Sequence, residues 1–320
     1  MSQRLAAIMA GELARPTPPE VQAFAGELAA RRGAAAVLFY GSALRTGALD
    51  GVLDFYLLTE TPHRRGFHGA VERRLWPEVS YHELTVGALI LRAKVATMTL
   101  ADFQAAARGE RLDTTIWARF VQPAALVWSR DAASAARAGA GVAAAVTTAA
   151  RFAAALGPVR GLPADYWTAL FRQTYAAEFR VEAPGREGSI MAFDAERYDR
   201  LLPLAWRAAG LSFETDGDVV SPCGESLGAL RRAWRTRRGL GKPLNIARLI
   251  KAAFTFEGAA GYAAWKIERH TGVAIPVTPF RERHPILSAP GALWRLWRAR
   301  PFPLQVESLE ADKKGLSSKL

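Results

Sequence analysis

A carboxylate stands in the middle of an apolar run. Asp54 interrupts residues 52–58 (Val-Leu-Asp-Phe-Tyr-Leu-Leu), a segment whose branched and aromatic content reads as a buried strand. An isolated charge in such a place costs several kcal/mol, so a fold that keeps this strand inside must pair the acid or give it a cation. Upstream, the short apolar run 36–40 ends at Gly41 and Ser42, which reads as a strand entering a tight turn. Turns of this kind present backbone N–H groups and a hydroxyl to phosphate oxygens. The order strand, Gly-Ser turn, loop, strand with acid is thus the strongest constraint the chain carries.

The remaining pattern fills in around it. Residues 79–84 and 125–128 read as further strands, and 89–98 as either a fourth strand or a buried helix. Helical spacing covers 20–32 and 102–107, then dominates from residue 132: 132–156, 164–182, 194–210, 244–256 and 262–270, with breaks at 157–158, 184–185 and 216–217. The expected fold class is α+β, with a mixed sheet over 1–130, a mostly helical region over 131–305 and a disordered tail over 306–320.

Charge narrows the partners. Forty-two Lys and Arg against 30 Asp and Glu leave +12, which calls for an anionic partner such as nucleic acid, anionic lipid or a phosphorylated small molecule. The single cysteine, Cys223, excludes an intramolecular disulfide framework and any Cys-rich metal site, and reads as an inert loop thiol in a reducing compartment. Arg4, Glu12 and Arg15 break what would have to be the apolar core of a secretory signal. No run reaches about 18 consecutive apolar residues, since Arg137, Thr147, Thr148 and Arg151 interrupt the Ala-rich stretch 132–156. Contact with a membrane is therefore expected from one side only.

Strand, Gly-Ser turn and acid-bearing strand in this order resemble nucleotidyltransferases of the polymerase-β type, in which the turn holds a triphosphate and strand carboxylates hold Mg²⁺. Those proteins usually carry two acids one residue apart, whereas Val52 and Tyr56 flank Asp54 at that spacing. Asp50 and Glu60 are the candidates for a second metal ligand, with Glu83 behind them. Asp50 shares a strand side with Asp54 but lies about 13 Å away if the chain is extended, so it needs a bend at Gly51.

A narrower pattern resembles the mitochondrial-type phosphatidate cytidylyltransferases of the translocator-assembly-and-maintenance family and their bacterial relatives. It consists of Tyr40, Gly41 and Ser42; Leu53, Asp54 and Phe55; Glu60 before Thr61 and Pro62; Tyr81; Lys94; and Arg119 with Gln122 and Pro123. Order and spacing agree across about 37–128, and the basic helical segments in 244–267 agree again. His82 replaces the amide that the family carries after the tyrosine. The resemblance implies transfer of CMP from CTP to phosphatidic acid, giving CDP-diacylglycerol and pyrophosphate, on the inner face of the cell membrane, with Mg²⁺ as cofactor. It assigns Asp54, Lys94 and Arg119 to catalysis and Tyr40, Gly41, Ser42, Tyr81, Arg248 and Lys251 to the nucleotide; Asp54 with Asp50 or Glu60 is the expected metal set, and Arg45, just after the Gly-Ser turn, is a further candidate for the phosphates.

The acceptor fits the residues on independent grounds. A phosphate monoester is already mostly anionic near neutrality and needs no general base, so a missing second acid matters less. What it does need is charge neutralisation, because each unscreened pair of like charges at 4 Å costs about 4 kcal/mol at an effective dielectric of 20. Arg248 with Lys251, and Lys266 with Arg269 and His270, are candidates on helical faces. His63, His68 and His82 lack metal-ligand spacing. Residues 290–300 interleave Trp294 and Trp297 with Arg295, Arg298 and Arg300, which is either an interfacial anchor or a core helix. Two other readings remain open at this stage: a nucleotidyltransferase with a soluble acceptor, for which the charge fits RNA equally well although nucleic acid is not the expected partner, and an inactive relative that binds anionic lipid.

Overall fold

Strands covered on both faces must be apolar on both, and the two runs flanking the Gly-Ser turn satisfy this by lying at the centre of a sheet. The structure, a computed structural model, describes residues 3–62, 77–177, 186–283 and 291. Two helices, α1 (Gln3–Leu13) and α2 (Pro19–Arg32), precede β1 (Ala34–Tyr40), the short α3 (Ser42–Thr46) and β2 (Val52–Thr59). Then come β3 (Glu78–Val86), β4 (Leu89–Thr99), α4 (Leu100–Ala107), α5 (Thr115–Phe120) and β5 (Ala124–Ser129). The sheet order is β3-β4-β2-β1-β5, with β2 and β4 parallel and the other neighbours antiparallel. The ambiguous segment 89–98 is thus a strand, and the 79–84 strand is longer than its apolar pattern indicated.

One sheet face is closed by α2, whose Val21, Phe24 and Leu28 pack on Phe39, Leu53 and Phe55; the Phe24 and Phe55 rings lie 6.0 Å apart. Pro19 opens that helix and Gly33, at φ 59, ends it in the left-handed conformation that glycine tolerates best. The other face carries the larger core, built on α6 (Ala132–Leu156). Asp131 caps α6 by accepting from the Ser134 N–H. By length and composition α6 could cross a membrane, but 67% of its most apolar window is buried inside the protein, where it packs on the sheet, α1, α4 and α5. Trp117 of α5 stacks on its Phe152 at 5.1 Å. Truncating either ring would cost about 3–5 kcal/mol.

The chain continues through α7 (Pro163–Ala177), α8 (Arg186–Phe193) and α9 (Ala195–Ala208) to a hairpin of β6 (Ser212–Asp216) and β7 (Val219–Cys223), then α10 (Ser226–Thr255). The hairpin takes the place of the expected break at 216–217, and Cys223 is an exposed residue at the end of β7 rather than a loop thiol. The expected helix 244–256 is the second half of α10, which runs through Pro243 without ending. Residues 1–255 form one compact unit with a core shared between sheet and helices, so the composition shift near residue 130 marks a change of layer within it. The second unit, from Phe256, contains α11 (Ala259–Thr271) and α12 (Pro279–Arg283). His63, His68, Trp294, Trp297, the arginines beside them and the tail 306–320 lie outside the described residues.

The fold is therefore α+β, with a mixed five-stranded sheet and a helical C-terminal region.

Candidate active site

Register decides which residues of a sheet meet. Tyr40 of β1 pairs with Asp54 of β2, Asp54 with Lys94 of β4, and Lys94 with Tyr81 of β3. Four sequence candidates that span 55 positions in the chain, from 40 to 94, thus form one transverse row, with strand spacings of about 4.8 Å and side chains on one face of the sheet. That face is the one covered by α5 and α6, because Leu38, Tyr56 and Ala96, two residues away along the same strands, belong to the helical-side core. Asp54 and Lys94 are half-buried.

The turn after β1 lies against the acid. Gly41 has φ 93, and a Cβ built on it would stand 2.8 Å from Asp54 Oδ2. Two independent constraints therefore reserve this position for glycine: a positive φ and a carboxylate oxygen too close to the place a Cβ would take. Ser42 follows as the exposed first residue of α3, and Arg45 lies half-buried in its last turn.

Arg119, at the end of α5, is held over the row. Its guanidinium carbon lies 5.1 Å from the Tyr40 ring centre and 5.7 Å from that of Tyr56, and its Nη1 donates to Tyr56 Oη at 2.9 Å. Phe120 fills in beside the two tyrosines at 5.8 and 5.2 Å. A guanidinium fixed by two aromatic faces and one hydroxyl is a preorganised cation. Tyr56 was not among the sequence candidates; its signal was its place two residues after Asp54, hence on the same face.

At the other end of the row, the Tyr81 hydroxyl donates to Glu83 Oε1 at 2.7 Å, and Arg92 Nε lies 3.4 Å from the same oxygen. Burial, with the nearby Glu83 carboxylate, pushes the Tyr81 phenol well above its ordinary range, so it stays protonated as a donor. This hydroxyl is engaged by Glu83, which makes Tyr81 a wall of the site.

Two expectations are corrected. Glu60 follows β2 at the end opposite Gly41, six residues or about 20 Å from Asp54 along an extended strand. There it meets Arg130 at 2.9 Å and Arg137 at 3.0 Å, and the Arg137 hydrogen bond first, then Arg130, holds its carboxyl below the usual range. It cannot share a metal with Asp54. Arg248, expected at the nucleotide, is nearly buried, with Nη2 3.2 Å from Asp113 Oδ2 and Nη1 3.5 Å from Thr115 Oγ1. Asp113 Oδ1 in turn accepts from the Thr115 N–H at the start of α5. Arg248 thus fastens α10 to the helix that carries Arg119, a positioning role. Lys251, one turn further on, is half-buried.

Asp50 is exposed at a bend before β2. Among the described residues no group of three or more His, Cys, Asp and Glu side chains is set to hold a metal. Mg²⁺ is commonly bound through one or two carboxylates with substrate phosphates completing the shell, and Asp54 against the Gly41 turn fits that donor set.

No family model matches the chain, and no curated protein matches it.

Proposed function

We propose that the protein is a nucleotidyltransferase, and specifically a phosphatidate cytidylyltransferase that moves CMP from CTP to phosphatidic acid while peripherally bound to the inner face of the cell membrane. The reading is carried by one observation: Asp54 Oδ2 abuts the Gly41 turn, with Lys94 beside it in register and Arg119 clamped above. That is a carboxylate, a glycine turn and two cations converging on one sheet face. The choice of cytidine and of a lipid acceptor comes from the resemblance in residues 37–128.

In this reading the triphosphate lies along Gly41 and Ser42, with Lys94 and Arg119 against its oxygens. Asp54 would hold Mg²⁺, which supplies charge neutralisation between the β- and γ-phosphates and the acceptor. An oxygen of the acceptor phosphate forms a bond to the α-phosphorus as the bond to the bridging oxygen breaks, and pyrophosphate leaves with that electron pair. The acceptor arrives ionised, so no side chain has to remove a proton, and the work left to the protein is positioning and electrostatics. Arg119 suits this because its two tyrosine faces and Tyr56 Oη fix it before substrate binds.

The test is CTP labelled in its α-phosphate, incubated with Mg²⁺ and phosphatidic acid in mixed micelles. Label in a chloroform-soluble product, lost in Asp54→Asn, is expected. Label that stays water-soluble or enters RNA ends refutes the lipid acceptor, and equal activity in Asp54→Asn removes Asp54 from the chemistry.

A further inference from the structure

Helix α10 contains no Asp or Glu in its 30 residues. Helical spacing of 100° per residue gathers Arg231, Arg235, Arg238 and Lys242 into one narrow stripe, with Arg232 alongside, and all five are exposed. Leu230 and Trp234, on the adjoining flank of the helix, are buried. From 231 to 242 the stripe runs roughly 16 Å.

The arrangement opposes helix stability unless an anion meets it. Arg231 with Arg235, and Arg238 with Lys242, are like charges at i,i+4. Several exposed arginines elsewhere have acidic partners: Arg31 with Glu27, Arg108 with Glu110, Arg130 with Glu60 and Asp131, and Arg160 with Asp216. Among the described residues Arg232, Arg235, Arg238 and Lys242 form no ion pair.

At one end the stripe opens into a cleft of about 520 Å³ between α10 and the last turn of α6, lined by Arg231, Arg232, Arg235, Gly228 and Trp234. Arg231 is anchored there, its Nε donating to the Ala155 carbonyl at 3.0 Å. Trp234 is 4% exposed, and among the described residues its Nε1 has no hydrogen-bond partner. At the other end Ile246, four residues past Lys242 on the same stripe, is 48% exposed. An aliphatic side chain in line with cations gains by entering acyl chains, whereas single-stranded nucleic acid selects aromatic platforms, and the exposed stripe holds none.

We propose that the 231–242 stripe of α10 docks the protein on an anionic phospholipid surface, with a headgroup phosphate in the cleft between α6 and α10. The proposal deepens the reading above, from which it takes a membrane as partner, but it concerns a surface outside the Asp54 row. Clusters of four to eight Lys and Arg on an amphipathic helix recognise anionic lipid in this way, each worth about fivefold in partitioning.

The test sediments full-length protein with vesicles of phosphatidylcholine containing about 30% phosphatidylglycerol and no phosphatidate, at roughly 0.1 M salt, where surface charges still act over about 10 Å. Wild type should bind these vesicles and ignore pure phosphatidylcholine. Arg232→Glu/Arg235→Glu/Arg238→Glu should bind at least about a hundredfold more weakly, with a melting temperature no lower than that of wild type. The control Arg31→Glu/Arg32→Glu, on α2, should stay close to wild type. A triple variant that partitions like wild type overturns the proposal. So does release of wild type by millimolar phosphate at constant ionic strength, or a stripe-dependent affinity for a single-stranded RNA without vesicle binding. Phosphatidate dispersed in detergent separates the two claims: the triple variant should keep wild-type transfer there. Intact vesicle binding by a wild type that transfers no CMP would sink the enzymatic reading alone, and transfer without stripe-dependent binding would sink the docking alone.

Discussion

Replacing Gly41 by alanine imposes two separate costs on the turn. The first is conformational: φ 93 is a region that L side chains rarely adopt, and holding alanine there costs about 1–3 kcal/mol. The second is steric: the new Cβ would meet Asp54 Oδ2 at 2.8 Å where ordinary contact begins near 3.4 Å, so the carboxylate must retreat by about 0.6 Å. The fold should survive, since the unit keeps its cores, with a melting temperature lower by about 2–4 °C per kcal/mol. Transfer activity should fall much further, by about one to two orders of magnitude, because a carboxylate displaced on the ångström scale no longer matches the reacting geometry. Asp54→Ala tests the cause. It removes Oδ2 and leaves the φ strain, so Gly41→Ala should cost about 1 kcal/mol less in that background. Calorimetry on the four proteins of the cycle, with the CTP assay on the two that keep Asp54, decides the matter. A Gly41→Ala protein with native melting temperature and native activity would refute the contact between turn and acid.

Tyr56→Phe removes the acceptor for Arg119 Nη1 but keeps the ring beneath the guanidinium. We expect about 1 kcal/mol of lost stability and a lower kcat with KM little changed, the signature of a cation less well placed in the transition state. Arg248→Met should cost about 3–5 kcal/mol, because it strands the buried Asp113 carboxylate, and Arg248→Met/Asp113→Leu should cost less than the sum of the two single changes; strict additivity in denaturant melts would contradict the clamp. Glu60→Gln should leave CMP transfer unchanged and cost no more than about 1 kcal/mol at neutral pH, since the group is exposed to solvent. The lowered folded-state pKa of Glu60 makes its contribution full above the unfolded value and lost as pH falls through the folded one, so wild type and Glu60→Gln should converge in acid. Loss of transfer in Glu60→Gln would restore Glu60 as a metal ligand.

What was legible in the sequence follows the physics of each element. The central strands declared themselves because burial on both faces demands unbroken apolar runs, and Asp54 was conspicuous for the same reason. The β6–β7 hairpin was hidden because β6 is mostly exposed, so hydrophobicity had little to mark there; the Asp-Gly pair at its tip was the available signal. Helix α10 was cut short because Gly239, Gly241 and Pro243 are breakers by propensity. Yet a Cβ at 241 would stand 2.5 Å from the Ala177 carbonyl oxygen, so that glycine is there to let α10 pass close to α7.

The candidate site divides along the same line. Proximity in sequence placed Glu60 near Asp54, but a strand runs straight, and six residues carried the acid out of reach and into the field of Arg130 and Arg137. The period of two along β2, by contrast, puts Tyr56 on the face of Asp54 without any further information. Only the register between strands could add Lys94 to that face, and only the packing of α5 could bring Arg119, 63 positions later, onto Tyr56. The catalytic reading therefore depends on tertiary contacts that a cation pattern cannot encode. Arg119 and Arg248 look alike in sequence, yet one is clamped over the Asp54 row and the other is spent holding the clamp's helix in place.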